Sequence, residues 1–432
     1  MGPKWSPGPE HEQFTNWAQS QGIVANGVGP ARFPGRGLGM IAKRNIEKGE
    51  ALVTVPRTAM VTMDGLPESF TGLFPEETPV HAVLAAFFTN GAPDDLQPYD
   101  LWRKTWPSRL DFESCMPLLW PACLRGVSDG PSSPGLGPGL LPPSISGSWR
   151  SLQKNSEQGP KASASDYSPH QNLLPAQEAR LRTAWTAVLE VFPETDWDAF
   201  SYHWLVVNTR SFFYLMPGRD MPEDHNDAMA LLPFADYFNH SDVACNVKFD
   251  GEKYVFWATK PYNTGEEIYM SYGNHPNDFL FAEYGFYLDE NASSEALYLD
   301  DIIFKDLNPS HRAELEFQQY YGNYQLTASG VCFRTEIAAC LTYMAPEDWR
   351  NYVLGYSSKG MSEAKSEAII RQWVQTYIHE AEVTIAALQN VGGAGTETDA
   401  ERAAREEKVE MLRRRWVQIR ELCRRGLDAV SC

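Results

Sequence analysis

The feature of the sequence that most constrains the fold is a long stretch rich in glycine, proline and serine. From Gly126 to Ser148, 17 of 23 residues are of these three types, and polar sequence continues to about His170. Such a stretch buries too little apolar surface to offset the conformational entropy that it would lose on ordering. The sequence therefore predicts a disordered segment over 126–170, inserted into a domain. A translated intron would leave the same composition, so this alternative stays open.

The chain as a whole has the composition of a globular protein. Its 432 residues suffice for two or three domains, and 43% of them are hydrophobic. Lys and Arg number 37 against 56 Asp and Glu, which gives a net charge of −19. This charge disfavours nucleic acid and anionic lipid as ligands and favours a basic protein or a lysine-bearing peptide. Solubility alone would also explain it.

The cysteines and the chain start indicate a reducing compartment. The seven cysteines are scattered, odd in number and without a Cys-x-x-Cys motif, which argues against a disulfide framework and a four-thiolate zinc site. No run of 18 apolar residues occurs, and the N-terminus lacks the apolar region of a secretion signal. We expect a cytoplasmic or nuclear protein without membrane association.

The N-terminal part predicts a β unit over 31–56. The glycine cluster 35–39 precedes a short apolar strand, and a second strand at 51–55 ends at Pro56. Residues 37–42 fit the G-x-G-x-x-G/A pattern of dinucleotide-binding folds. That pattern needs a helix directly after it, whereas a turn and a strand follow here. We therefore reject dinucleotide binding and retain a tight turn or a backbone that approaches a ligand closely.

Hydrophobic periodicity predicts the remaining elements. They are helices over 176–192 and Trp197–Phe213, a hairpin of the strands Cys245–Phe249 and Tyr254–Ala258 around Asp250-Gly251, and helices from about 290 to the end. In the last segment, 399–425, apolar residues at three- and four-residue spacing predict a helix that packs on its own domain or on a partner. This stripe consists of Val409, Leu412, Trp416, Ile419 and Cys423.

A polar heptapeptide, 236–242, interrupts an apolar stretch. Its Asp236, His240 and Asp242 carry oxygen and nitrogen atoms that could bind a divalent metal. The same polar groups could satisfy buried backbone atoms at a turn, or surround a polar cosubstrate. Their spacing does not choose among these three possibilities.

An aromatic segment follows, with four tyrosines and three phenylalanines within 269–287. Aromatic density of this kind is typical of core packing, and it also suits a narrow channel that takes a cation by its ring faces. The chain has no Gly-x-Ser-x-Gly, His-Glu-x-x-His or phosphate-binding loop. Hydrolase and phosphotransferase chemistry therefore have little support.

In this order the segments resemble SET-domain protein methyltransferases. The similarity is greatest to the branch typified by the plant Rubisco large-subunit lysine methyltransferase, which includes lysine and actin-histidine enzymes. The residues that carry it are Gly35-Arg36-Gly37-Leu38-Gly39, Asn208-Thr209-Arg210-Ser211-Phe212, Asp236 with Asn239-His240, Tyr269-Met270-Ser271-Tyr272-Gly273 and Tyr284-Gly285-Phe286. Arg36 is a departure, because this branch often has Glu there.

The resemblance implies an α+β fold. A SET-domain β core would occupy 1–290, with a helical insert over 121–227 whose disordered part is 126–170. An all-helical domain over 291–432 would correspond in position to the substrate-binding domain of that branch.

By the same resemblance the cosubstrate is S-adenosylmethionine, and no metal is required. The backbone at Gly37 and Leu38 would line it. Its carboxylate would meet Arg210. Its ammonium group and adenine edge would bind to Asp236, Asn239 and His240.

Aromatic residues complete the implied site. Tyr272 takes the position of the family's catalytic tyrosine, and Phe286 that of a ring packed against the adenine. Tyr254, Tyr269 and Tyr284 would form the substrate channel. A structural role stays open for Tyr272 as a buried tyrosine and for Tyr254 in the core, and Arg210 could instead form a surface ion pair.

We therefore expect a monomeric enzyme that transfers a methyl group from S-adenosylmethionine to a lysine side chain of a non-histone protein. One alternative changes the acceptor to a protein histidine or a small molecule. Another is a catalytically silent SET module that binds a protein partner.

Overall fold

The structure is a computed structural model, and it describes residues 6–34, 37–125, 139–152, 170–391 and 397–430. Its helices are α1 (Pro9–Ser20), α2 (Glu68–Thr71), α3 (Val80–Asn90), α4 (Pro93–Leu96), α5 (Asp100–Arg103), α6 (Arg109–Cys115), α7 (Ala122–Arg125), α8 (Pro143–Ser146), α9 (Leu173–Val191), α10 (Trp197–Arg210), α11 (Asn277–Tyr284), α12 (Asp300–Asp306), α13 (Pro309–Phe317), α14 (Phe333–Leu341), α15 (Pro346–Val353), α16 (Glu363–Leu388) and α17 (Asp399–Val430).

The strands are short and lie mostly before residue 271. They are β1 (Val24–Ala25), β2 (Val28–Phe33), β3 (Gly37–Ala42), β4 (Ala51–Pro56), β5 (Ser211–Phe213), β6 (Met229–Leu231), β7 (Asn239–Phe249), β8 (Lys253–Trp257), β9 (Glu267–Met270), β10 (Leu297–Tyr298), β11 (Gln325–Thr327) and β12 (Gly330–Val331). None of the helices in the described part of the chain is long and apolar enough to cross a membrane.

Contacts divide the chain into two compact units. The first comprises 1–112 and 178–274, and the second comprises 113–177 and 275–432. The predicted domain limits, 1–290 and 291–432, differ from this division and stay predictions.

The first unit is built on a seven-stranded sheet with the order β1-β4-β8-β7-β9-β3-β2. Its neighbouring strands are antiparallel except β7 and β9, which run parallel from the pairs Asn239↔Tyr269 and His240↔Met270. The β3 strand pairs antiparallel with β9 through Met40↔Ile268. This order brings the start of β7, the end of β9 and the glycine-rich strand β3 into adjacent positions.

The predicted hairpin is present as β7 and β8, with Phe249 opposite Tyr254. At its turn Gly251 has a φ of 101°, a conformation that favours glycine. The Asp250 carboxylate accepts hydrogen bonds from the backbone N–H groups of Glu252 and Lys253. Local turn chemistry therefore determines where this hairpin reverses.

The helix predicted over Trp197–Phe213 is shorter than expected. It begins after the cap Asp196, whose side chain accepts from the Ala199 N–H, and it ends at Arg210. Residues 211–213 pair instead with 229–231 as strands β5 and β6. The strand pairing replaces helical hydrogen bonds, and it leaves Arg210 at the helix end.

In the second unit the long helices α16 and α17 pack on each other. The predicted apolar stripe of α17 is buried at Leu412, Trp416 and Ile419. The region after 290 is helical as predicted, apart from a small sheet of β10, β11 and β12. The buried Asp300 carboxylate accepts from the backbone N–H groups next to β11 and holds this sheet against α12.

The prediction of disorder over 126–170 is wrong for residues 139–152; residues 126–138 and 153–169 lie outside the described part. Four apolar side chains of this segment are buried, namely Leu140, Leu141, Ile145 and Trp149. The Trp149 indole donates to Asp301 at 2.7 Å and packs on Tyr377, with ring centroids 4.9 Å apart. The Glu380 carboxylate accepts from the backbone N–H groups of residues 150 and 151, both at 2.6 Å.

The physical reason is that composition averages over the stretch and hides these four apolar residues. Their burial supplies the free energy that the surrounding Gly, Pro and Ser cannot supply. A translated intron would not be expected to complete a core in this way.

We predict that Trp149→Ala destabilises the protein by about 3–5 kcal/mol, because it removes a buried indole and leaves a cavity. The matched control is Trp197→Ala, since Trp149 is 7% exposed and Trp197 is 43% exposed. Urea unfolding of both variants measures the difference. Equal and small losses in the two variants would show that 139–152 does not pack as described.

We also predict that stability falls at acidic pH. Burial lowers the pKa of His81 and of His203 to about 4, from the usual 6.5. Both histidines are neutral in the folded protein, so the unfolded chain takes up protons first as the pH drops. Their contribution is complete above pH 6.5 and is lost as the pH falls toward 4, by up to about 3 kcal/mol for each histidine.

The measurement is the free energy of unfolding as a function of pH for the protein, His203→Gln and His379→Gln. The exposed His379 serves as control. His203→Gln should flatten the acid decline and His379→Gln should not. Identical acid declines in all three proteins would contradict the prediction.

Candidate active site

Asn239, at the start of β7, joins two neighbouring strands. Its Nδ2 donates to the backbone oxygen of Leu38 at 2.9 Å and to Oε1 of Glu267 at 2.8 Å. A Cβ on Gly39 would lie 2.5 Å from Glu267 Oε1 and 2.7 Å from Asn239 Nδ2, so a side chain there would displace both groups. Gly37 has a φ of 74°, which also favours glycine. The glycine-rich strand thus lets the Asn239 side chain reach its backbone.

His240 fixes the backbone at Tyr272. Its Nδ1 accepts a hydrogen bond from the Tyr272 N–H at 3.0 Å, and the two rings lie 5.2 Å apart. The Tyr272 hydroxyl donates to the backbone oxygen of Phe238 at 2.7 Å. Burial raises the pKa of Tyr272 to about 12, so this hydroxyl stays protonated at neutral pH. The Tyr272 side chain is therefore neutral and held in one position.

An ion pair joins Arg210, at the end of α10, to Asp236 in the single turn Ala235–Tyr237. Nη1 of Arg210 donates to the backbone oxygen of Asp236 at 3.0 Å and to its Oδ2 at 3.2 Å. The same Oδ2 accepts from the indole N–H of Trp102 at 3.0 Å. Burial raises the pKa of Asp236, and the charge of Arg210 opposes this shift.

Two polar atoms of this pair are buried without a hydrogen-bond partner among the described residues. They are Nε of Arg210 and Oδ1 of Asp236. Buried polar groups are normally satisfied, because an unpaired one costs about 1–3 kcal/mol. The pair therefore leaves one donor and one acceptor without a protein partner in the described part of the chain.

The remaining predicted site residues lie in different places. The Tyr269 hydroxyl donates to Glu267 Oε2 at 2.7 Å. Tyr284 and Phe286 belong to the second unit, where their ring centroids lie 6.2 Å apart. Arg36 lies outside the described residues.

Tyr254 lies in the core instead of a channel. Its ring stacks on Phe249 at a centroid distance of 4.9 Å, and its buried hydroxyl donates to the backbone oxygen of Phe213. The physical reason is that the rings of Phe249 and Phe212 cover the Tyr254 side chain on its face of β8. We do not carry Tyr254 into the site.

Trp102 and Glu267 were missed as site residues by the sequence reasoning. Glu267 lies in β9 beside a polar partner on β7, and its position in a short apolar strand is a signal that could have indicated it. Trp102 belongs to an aromatic-rich helical region and carries no such signal, because its partner Asp236 is far away in sequence.

The metal interpretation of Asp236, His240 and Asp242 has no geometric support in the described part of the chain. No group of three or more His, Cys, Asp or Glu side chains there could hold a metal ion. Asp236 and His240 are engaged as above, and Asp242 is exposed.

Sequence comparisons identify both parts of the chain. The SET domain profile matches residues 37–273, more than half of the chain, and the profile of the ribosomal lysine N-methyltransferase 2 C-terminal domain matches residues 295–421. SET domain-containing protein 4 of Homo sapiens is 25% identical over 417 residues, which cover 90% of this chain and 85% of that protein. Ribosomal lysine N-methyltransferase set11 of Schizosaccharomyces pombe is 29% identical over 204 residues, which cover 44% of this chain and 52% of that protein.

A structural comparison gives the same fold. The structure of Rubisco LSMT bound to AdoMet aligns with a TM-score of 0.58 at 14% identity, covering 98% of this chain and 93% of that one. The predicted α+β fold with a SET core and a helical C-terminal region is confirmed, as is the resemblance to the Rubisco enzyme's branch. The chain belongs to the SET-domain methyltransferase family and is related to the ribosomal lysine N-methyltransferases.

Proposed function

We propose that this protein transfers a methyl group from S-adenosylmethionine to a lysine side chain of a non-histone protein. The observation that carries the proposal is the buried, unpartnered donor of Arg210 beside the buried, unpartnered acceptor of Asp236. The amino-acid end of S-adenosylmethionine has one carboxylate and one ammonium group, which match this donor and this acceptor. The residues present therefore fit the cosubstrate.

Each residue has a stated role in binding. Arg210 pairs with the carboxylate of the cosubstrate, a charge-assisted contact. Oδ1 of Asp236 accepts from its ammonium group. Asn239 and His240 act by fixing the backbone at Leu38 and Tyr272, so that the surrounding carbonyl and N–H groups hold fixed positions.

Bound S-adenosylmethionine supplies an electrophilic methyl group, and the protein supplies alignment and a dry site. The Tyr272 hydroxyl donates a hydrogen bond to the backbone oxygen of Phe238, so its oxygen lone pairs remain available for weak CH···O contacts. With a pKa of about 12, Tyr272 does not serve as a strong base near neutral pH. The lysine must therefore arrive neutral, and desolvation of its ammonium group favours that form.

The net charge of the protein and the names of its relatives support a protein lysine as the methyl acceptor. A net charge of −19 attracts basic proteins, and related enzymes are named ribosomal lysine N-methyltransferases. The proposal also assigns Tyr269 and Tyr284 to the substrate channel. It assigns Phe286 as the ring that packs against the adenine.

We predict that Arg210→Ala weakens S-adenosylmethionine binding about tenfold or more, because a charge-assisted pair is lost. Isothermal titration measures the dissociation constant. The control ligand is 5′-methylthioadenosine, which lacks the amino-acid end and should bind both proteins alike. No binding by folded wild-type protein, or equal affinity of the variant, would contradict the proposal.

We predict that Tyr272→Phe lowers methyl transfer about a hundredfold while the affinity for S-adenosylmethionine stays near that of the wild type, because alignment is lost at the reacting centre. Tyr254→Phe is the matched control, since Tyr254 also donates to a backbone carbonyl but lies in the core. The assay uses radiolabelled S-adenosylmethionine, a basic ribosomal protein fraction, and amino-acid analysis of the hydrolysed product.

The methylated amino acid in the product identifies the acceptor. Methyllysine supports the proposal, and methylhistidine would show that the acceptor is a histidine. Equal loss of affinity and of methyl transfer in Tyr272→Phe would assign that residue a structural role.

A further inference from the structure

We infer that Trp102 is a positioning residue for the cosubstrate carboxylate: its indole N–H holds Asp236 in an orientation that leaves one edge of Arg210 without a protein partner among the described residues. The inference rests on the proposed function, because it concerns the same binding site. Trp102 itself does not touch the cosubstrate in this scheme. It acts through Asp236.

The Trp102 indole is itself fixed. It is completely buried and lies among Phe88, Tyr99 and Trp106, whose ring centroids are 5.2–6.4 Å away. Its Nε1 donates to Oδ2 of Asp236 at 3.0 Å. A rigid donor at this distance restricts rotation of the carboxylate.

The turn that carries Asp236 is strained and held from the other side. Phe234 has a φ of 73°, which is rare and unfavourable for a bulky residue. From α1, Phe14 packs against Phe234, and His11 Nδ1 lies 2.8 Å from the Tyr237 hydroxyl. Such strain persists only where the surroundings over-determine it.

The fixed orientation of Asp236 determines which atoms of Arg210 are already bonded. Its Nη1 is occupied by Asp236 O and Oδ2. The opposite edge of the guanidinium consists of Nη2 and of Nε, which is buried and has no hydrogen-bond partner among the described residues. This is the edge that a carboxylate can bind with two parallel bonds.

Asp236 can itself compete for that edge, because its carboxylate already contacts the same guanidinium. If its carboxylate rotated, its two oxygens could take Nε and Nη2 and exclude the ligand. The Trp102 N–H competes for Oδ2 and thereby opposes this rotation. Trp102 thus keeps the internal ion pair from closing on the binding edge.

The test compares Trp102→Phe with Trp106→Phe. Trp106 lies in the same aromatic cluster and is 8% exposed, but its buried indole N–H has no hydrogen-bond partner among the described residues. Isothermal titration with S-adenosylmethionine and with 5′-methylthioadenosine is done on each variant, alone and combined with Arg210→Ala.

We expect Trp102→Phe to weaken S-adenosylmethionine binding about tenfold, as for loss of a hydrogen bond to a charged group, and Trp106→Phe to change it less than about twofold. Neither should change 5′-methylthioadenosine binding. In the Arg210→Ala background, Trp102→Phe should have no further effect, because the edge that it protects is gone.

Equal effects of the two tryptophan variants, a loss of 5′-methylthioadenosine binding in Trp102→Phe, or a full Trp102→Phe effect without Arg210 would each overturn the inference. Should Trp102→Phe fail to fold, benzothienylalanine at position 102, which replaces the N–H by sulfur at nearly the same size, decides in the same assay. Wild-type protein that does not bind S-adenosylmethionine refutes the proposed function itself. Arg210-dependent binding that is insensitive to position 102 refutes only this inference.

Discussion

The ion pair between Arg210, which is partly exposed, and the buried Asp236 is the interaction on which the candidate site depends. Removing the Asp236 charge from water costs several kcal/mol, which its partners must offset. Asp236 is only 3% exposed, so its charge requires both Arg210 and the Trp102 N–H. The end of α10 and the strained turn at Phe234 are therefore fixed relative to each other, and the site inherits that rigidity.

The second unit also contains a buried arginine paired with carboxylates, and there the interaction positions a helix. Arg415 of α17 is buried and donates to Asp278 Oδ1 and to Glu295 Oε1, both at 2.7 Å, and to Gln418 Oε1 at 3.1 Å. This guanidinium has partners on three sides, so it has no open edge like that of Arg210. It specifies where α17 packs against α11, since sliding the helix by one residue would leave a buried charge unpaired.

Much of the fold could be predicted from the sequence because its signals are local. The Asp250-Gly251 turn and the apolar stripe of α17 each depend on neighbouring residues alone. The order of motifs also indicated Arg210, Asn239, His240 and Tyr272 as a group. The contact between Trp102 and Asp236 could not be predicted, because it joins distant segments whose approach depends on tertiary packing. For Tyr254 the sequence left the core and the channel as alternatives, because an aromatic residue in a strand has the same pattern whether its face meets the core or a ligand.

The ordered segment 139–152 changes how length variation should be regarded. Trp149 and the backbone at 150–151 are anchored in the second unit, so residues 139–152 are a fixed point within the glycine- and proline-rich stretch. A length change inside 139–152 would shift Trp149 relative to its partners and break these contacts. A truncation chosen by composition alone would remove this segment together with part of the core of the second unit.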